Sequence, residues 1–268
     1  MSAKGWSIPK TTKVVLRLLR EGLGLSPSGD WRDFDGLSVV DVGAGRGHLS
    51  SVLGEALEAA GLEPTTHVFA CDLLPVSFEY EAIECHQTSA DGRLPFDDAS
   101  FDAVVSVEVI EHVEDQFAFL AELLRVAKPG APVIVTTPNT HNLNSRVRNL
   151  TWGFPLLFDP LPHGVHDPRL LGGHIHPIAP YYLAYAALRA GFGDIAFHSD
   201  RRKSSALVWY LFLWPLLLLG RLKNGGRIQR KNPELAAENA AWIDAVCGTE
   251  LLLARTAILS CRRPHASA

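Results

Sequence analysis

The largely apolar run 37–42 passes directly into Gly43-Ala44-Gly45-Arg46-Gly47, and a helical pattern follows over about 49–60. A buried strand, a turn of alternating glycines and a helix in immediate succession make the first half of a βαβ unit. Such a strand suits the middle of a parallel sheet covered on both faces. Glycines at 43, 45 and 47 let the backbone turn tightly and approach a ligand at the carboxyl end of the sheet. The spacing departs from two common phosphate-binding patterns. His48 stands where the dinucleotide fingerprint needs glycine or alanine, and Asp72 lies 27 residues beyond Gly45 instead of about 20. No Gly-Lys-Ser/Thr follows, which excludes a Walker loop.

The rest of the chain extends this start into an α/β pattern. A helix is predicted at 11–21, strands at 67–71 (closed by Asp72), 83–88, 101–107 and 133–137, and a helix at 115–127 stopped by Pro129-Gly130. A helix at 180–190, a sixth strand at 195–198 and a seventh at 251–260 complete the series. Together they predict a doubly wound sheet of seven strands with helical insertions before and after strand six. The 268 residues suffice for one sizeable core. The expected divisions are an N-terminal helix and lead-in at 1–36, a core at 37–138, a lid or acceptor loop at 139–177, an insertion at 199–250 and the last strand at 251–263.

Four features, in order over residues 36–192, resemble the class I S-adenosylmethionine-dependent methyltransferases. They are Asp41-Val42-Gly43-Ala44-Gly45-Arg46-Gly47; Cys71-Asp72; Leu94-Pro95-Phe96 with Ser100-Phe101-Asp102; and Lys128-Pro129-Gly130 followed by a strand. The resemblance implies a Rossmann-like fold, with S-adenosyl-L-methionine as cofactor and S-adenosyl-L-homocysteine as product. It places Gly43 and Gly45 under the methionine moiety, with Asp41 supporting the loop, Asp72 at the ribose hydroxyls and Asp91 at the adenine amino group. Ala44, Gly47, Leu73 and Glu108 join them as expected cofactor contacts. An ionised carboxylate at 72 suits two hydroxyl donors, since it offers acceptors and no proton of its own.

The segment Glu108-Val109-Ile110-Glu111-His112 follows the strand at 101–107, where the sheet's carboxyl edge opens. If helical, Glu108, Glu111 and His112 share one face. His112 is the candidate general base, with Glu111 beside it, because imidazole titrates near neutrality; the alternative is that the pair only orients the loop and cofactor. Two branches of the family resemble this chain here. One is the ubiquinone-pathway O-methyltransferases, with a Glu-His pair after strand four and Thr137-Pro138-Asn139 after strand five. The other is the small-RNA 3'-terminal 2'-O-methyltransferases, whose metal would be held here by Glu108, Glu111, His112 and either His174 or His176. The main reading assigns no metal, and a non-catalytic cofactor-binding module is a third alternative. In the connection at 139–177, Trp152, Phe154, Phe158, His163, His166, His174 and His176 could shape an apolar acceptor pocket, whereas Tyr181, Tyr182 and Tyr185 are expected to pack in the core.

Charge and hydropathy are unevenly spread. The chain carries a net charge of -4, yet Arg201, Arg202, Lys203, Arg221, Lys223, Arg227, Arg230 and Lys231 form a stretch of eight cations without an acid, leaving the other residues at -12. This balance argues against a dedicated nucleic-acid binder. Inside the cationic stretch, residues 206–219 read ALVWYLFLWPLLLL. As a helix these 14 residues would be about 21 Å long, too short to span a bilayer but suited to dipping into an anionic leaflet. The expected partner is therefore a small-molecule or lipid-linked acceptor, with peripheral membrane contact through 201–231; the alternative for 206–219 is a buried helix, an active-site lid or a dimer contact. The early apolar run 14–19 is broken by Arg17 and is too short for an export signal, which implies a start in the cytoplasm. Cys71, Cys85, Cys247 and Cys261 are too scattered for a zinc site and are expected to be buried, reduced thiols.

Overall fold

The computed structural model describes residues 9–164 and 173–265. Seven strands form one sheet: β1 (Val39–Val42), β2 (Val68–Asp72), β3 (Cys85–Gln87), β4 (Ala103–Val107), β5 (Pro132–Pro138), β6 (Gly193–Ser199) and β7 (Thr256–Arg262). Their spatial order is β3-β2-β1-β4-β5-β7-β6. The first five are parallel, and β7 runs antiparallel to both β5 and β6. The helices are α1 (Pro9–Gly22), α2 (His48–Ala59), α3 (Pro64–His67), α4 (Gln116–Val126), α5 (Leu143–Trp152), α6 (Pro180–Ala190), α7 (Ser204–Lys231), α8 (Pro233–Glu238), α9 (Ala240–Cys247) and α10 (Thr249–Leu253).

Alternation along the central strands builds two cores. Val39, Ala103, Val105 and Ile134 face α1 and α2, meeting Val15, Leu19, Leu53 and Leu57. Val40, Val42, Val104, Val133 and Val135 face α4 and α6, meeting Leu120, Leu123, Leu183 and Ala187. Each fully buried Leu or Val contributes about 1.5–3 kcal/mol of transfer free energy. Asp115 starts α4 by accepting hydrogen bonds from the amides of Phe117 and Ala118, 3.0 and 2.9 Å long.

Two of the four family-like features clamp the fold at a distance from the ligand edge. Asp102, before β4, accepts from the Ser38 amide and hydroxyl and from Lys128 Nζ, all at 2.9 Å. The Leu94 and Phe96 carbonyls are held by the Arg125 guanidinium at 3.1 and 2.8 Å.

Several expectations need correction. The connection at 139–177 is not loop throughout, since it contains α5, whose Asn142 caps the Ser145 amide at 2.9 Å. The last strand does not begin at 251: Leu251, Leu252 and Leu253 form α10 and bury themselves beneath α7, and pairing starts at Thr256 opposite Pro138. Finally, the apolar helix does not stop near 219 but continues through Gly220 and the basic residues to Lys231, 28 residues in all. Cys71 and Cys261 are buried and Cys85 and Cys247 half-buried, all as free thiols; burial pushes Cys71 and Cys85 up to about 12. Of the tyrosines on α6, Tyr181 packs on Trp242, while Tyr182 and Tyr185 face solvent and are not core.

Candidate active site

The carboxyl ends of β1, β2 and β4 converge on one edge of the sheet. Beyond β1 the chain takes positive φ at Gly43 (73°), Gly45 (54°) and Gly47 (81°), values that a side chain rarely tolerates. The Gly43 and Ala44 amides donate to the Cys71 carbonyl at 2.8 and 3.1 Å, fastening the loop to the end of β2. Asp72, the next residue, accepts from the Gly45 amide at Oδ2 and from the Leu74 amide at Oδ1, both at 2.8 Å. Leu73 is partly exposed beside it. Below the loop, buried Asp41 accepts from the Ser50 hydroxyl at 2.8 Å, and burial pushes its carboxyl up to about 6. Asp91 is exposed and closes its own turn by accepting from the Ser89 hydroxyl and the Arg93 amide at 2.5 and 3.2 Å.

The segment after β4 is not an α-turn. Glu108 sits at φ 55°, its amide held by the Thr136 carbonyl at 3.1 Å, and only Ile110–His112 form a 3-10 turn. The expected shared face is therefore absent. Glu108 turns to Arg255 at 3.2 Å, and both side chains are largely buried. Burial raises the Glu108 carboxyl, against the pull of Arg255. Val109 leans on the glycine loop so closely that a Cβ added to Gly43 would stand 2.4 Å from Val109 Cγ2.

Glu111 and His112 instead meet the later connection. The Glu111 side chain is fully buried, with Oε1 4.0 Å from His174 Nε2. Burial raises its carboxyl to about 8, and the nearby Glu108 charge pushes the same way. His112 Nδ1 lies 3.0 Å from the Gly173 carbonyl. A carbonyl only accepts, so Nδ1 carries the proton and Nε2 keeps its lone pair. Burial of part of the ring holds His112 below the usual imidazole value. One ligand atom each from Glu111, His112 and His174 lies within 4.8 Å of the others. Glu108 is outside that group, and His176 is engaged elsewhere, with Nδ1 2.6 Å from the Val113 carbonyl.

Of the candidate lid residues, Phe158 reaches the cluster, its ring centroid 5.1 Å from that of His174. Trp152 and Phe154 pair with each other at 6.2 Å near the surface, His163 is exposed, and His166 lies outside the described residues. Arg255 is the residue that sequence reasoning passed over. Its signal was a lone cation inside the apolar run Leu251–Ser260. Asn139 serves the scaffold, its side-chain amide donating to the Leu251 and Ala254 carbonyls at 2.7 and 3.1 Å.

This arrangement coincides with a known family. Residues 40–135 match the methyltransferase-domain family. The chain is 31% identical over 143 residues, 49% of its length, to the mitochondrial ubiquinone biosynthesis O-methyltransferase of Dictyostelium discoideum. It is 32% identical over 137 residues, again 49% of its length, to the ubiquinone biosynthesis O-methyltransferase of Methylococcus capsulatus. Residues 40–135 are thus a methyltransferase domain that resembles those of the class I S-adenosylmethionine-dependent methyltransferases. The alignments cover 44% and 55% of those relatives, so the chain spans about half the length of the curated proteins it matches. A solved S-adenosylmethionine-dependent methyltransferase from Archaeoglobus fulgidus shares the fold, with a TM-score of 0.51 at 15% identity over 94% of each chain.

The residues of this domain fit S-adenosylmethionine, the cofactor of the proteins it resembles. A Cβ at Gly45 would meet nothing within 4 Å, so the loop is open on that side while Val109 closes it at Gly43. Asp72 spends one lone pair of each carboxylate oxygen on a backbone amide and keeps the others for hydroxyl donors. Gly43, Gly45 and Asp72 would therefore hold S-adenosylmethionine, which supplies an electrophilic methyl group when bound.

Proposed function

We propose that the protein methylates an oxygen atom of an apolar or lipid-linked small molecule close to a membrane surface, with His112 as general base. The observation that carries this reading is the contact of His112 Nδ1 with the Gly173 carbonyl, which leaves Nε2 as the ring's acceptor. Its Nε2 lone pair is free beside a fully buried Glu111, on a turn whose Val109 touches the glycine loop. His112 would take the proton from the acceptor hydroxyl, and a general base placed in this way is worth about 10²–10⁴-fold in rate. Glu111 and His174 would fix the imidazole's position, and Phe158 would help exclude water. The curated relatives' names, both O-methyltransferases of ubiquinone biosynthesis, support an oxygen acceptor of apolar character. The test is transfer of a labelled methyl group to lipid and soluble extracts. Label in the lipid fraction is expected; binding of S-adenosylhomocysteine with no acceptor in either fraction would favour a non-catalytic module.

A second reading is favoured by the cluster of Glu111, His112 and His174, whose donor set of one carboxylate and two imidazoles suits a divalent cation. A metal there would make the O-methyltransferase metal-dependent, as in the RNA 2'-O-methyl branch. Activity lost to a chelator and restored by Mn²⁺ would establish it, and full activity in the chelator would dismiss it.

A further inference from the structure

The strongest unused feature of the molecule is α7. Its outer side presents Trp209, Leu211, Phe212, Trp214, Leu216 and Leu219, between 39% and 76% exposed. An 18-residue stretch of the helix has a mean hydropathy of 1.6 and is 6% buried, apolar and long enough by composition to cross a bilayer. A single helix carrying this much exposed apolar surface marks a contact site.

The tethers of α7 decide its posture. At its start, the Lys203 amide donates to the Leu253 carbonyl at 2.8 Å, and Ser205 accepts from the Asn144 side chain at 2.9 Å. Ala206, Tyr210 and Leu217 pack inward on Leu143, Leu252 and Leu253. Farther along, Arg221 pairs with Asp244 of α9 at 2.6 Å. That part of the chain is fixed to the domain in turn, since Tyr181 donates to Asn239 at 2.9 Å and Trp242 packs on Tyr181 and Phe197. Both ends of the apolar stretch thus contact the same domain, and the helix lies along its surface.

The helix also lies on the site's side of the molecule. Ser199, at the end of β6, pairs with Ala257, and Pro138, at the end of β5, pairs with Thr256. The whole insertion α7–α10 therefore emerges from the sheet edge that carries the glycine loop, Asp72 and Glu111. Its closing residue, Arg255, is the ion-pair partner of Glu108.

Two occupants could cover such a face, a second copy or a lipid surface, and charge separates them. Pairing α7 with its copy, parallel or antiparallel, sets the basic flank 201–203 or 221–231 against another basic flank, with no acid in the stretch to compensate. An anionic surface neutralises both flanks at once, at about 1 kcal/mol per basic residue. Interfacial tryptophans suit the same surroundings. We infer that α7 is an in-plane anchor that docks the active-site edge onto an anionic lipid surface, so that the acceptor reaches His112 from the lipid phase. The anchor stands on the structure alone; the delivery of an acceptor rests on the methyltransferase function proposed above.

The test is co-sedimentation of the full chain with vesicles of phosphatidylcholine plus phosphatidylglycerol, against phosphatidylcholine alone, without cofactor. Pelleting with the anionic vesicles only, weakened by salt, is expected. Phe212→Glu/Leu216→Glu should abolish it, and Lys223→Gln/Arg227→Gln/Arg230→Gln should weaken it about a hundredfold. Unchanged thermal unfolding would show that these exposed variants fold. A wild type that stays in solution, or variants that pellet as well as it does, would overturn the anchor. So would a dimer in equilibrium sedimentation that Phe212→Glu dissolves, because a second copy would then cover the face. Vesicle binding without methyl transfer would leave the anchor standing and remove the proposed reaction.

Discussion

Gly43→Ala is the perturbation that best probes how the two halves of the site fit together. Gly43 has φ 73°, and an alanine Cβ there would lie 2.4 and 2.8 Å from the two γ-carbons of Val109. Holding an L-residue in the left-handed region costs about 1–2 kcal/mol. Forcing Val109 aside adds about 1–3 kcal/mol of overpacking. The expected destabilisation is about 2–5 kcal/mol, a large share of an ordinary stability of about 5–15 kcal/mol. Urea unfolding measures it, and a cycle with Val109→Ala separates its parts. In the double variant the steric part should return while the backbone part remains, giving a coupling energy of about 1–3 kcal/mol. Additivity within about 0.5 kcal/mol would mean that Val109 does not limit the space at Gly43. The contact that joins the glycine loop to the turn carrying His112 would then be wrong.

His112→Ala should lower turnover by about 10²–10⁴-fold while leaving S-adenosylhomocysteine affinity unchanged, and an unaltered rate would remove it as base. Because burial holds His112 below the usual imidazole value, the wild-type rate should already be level at pH 7 and fall only in more acid solution. Glu111 gives a prediction for stability. In metal-free protein the folded state keeps its proton up to about pH 8, whereas the unfolded chain releases it near 4.5. Folding stability should therefore decline as pH rises between those values, by at most about 1.4 kcal/mol per unit. Asp41, raised to about 6, adds to this slope only in its acid half. Glu111→Gln should flatten the slope between pH 6 and 8 in thermal or urea melts, and an unchanged slope would refute the burial argument.

The sequence revealed what is local and left obscure what depends on distant partners. The glycine loop and Asp72 were legible because tight turns and strand ends leave residue-type signals in place. Asp102 and Lys128 were legible as markers, although their role turned out to be a clamp with Ser38. The helix α5 was missed because its Asn, Ser, Val, Thr and Trp residues are mediocre helix formers and it lacks a clear apolar stripe, and Asn142 was its one local signal. Three leucines before Arg255 read equally well as strand or helix, and burial under α7 decided for helix. The meeting of His112 with Gly173, 61 residues away, had no signature beyond the histidines themselves.

Calorimetric titration of S-adenosylhomocysteine into the wild type and Asp72→Ala tests the central claim most directly. One molecule should bind per chain, and Asp72→Ala should weaken binding about a hundredfold or more, as expected on losing a charged acceptor that also holds the Gly45 amide. Absence of binding to the wild type, or equal affinity in the variant, would contradict a cofactor site at the carboxyl ends of β1 and β2.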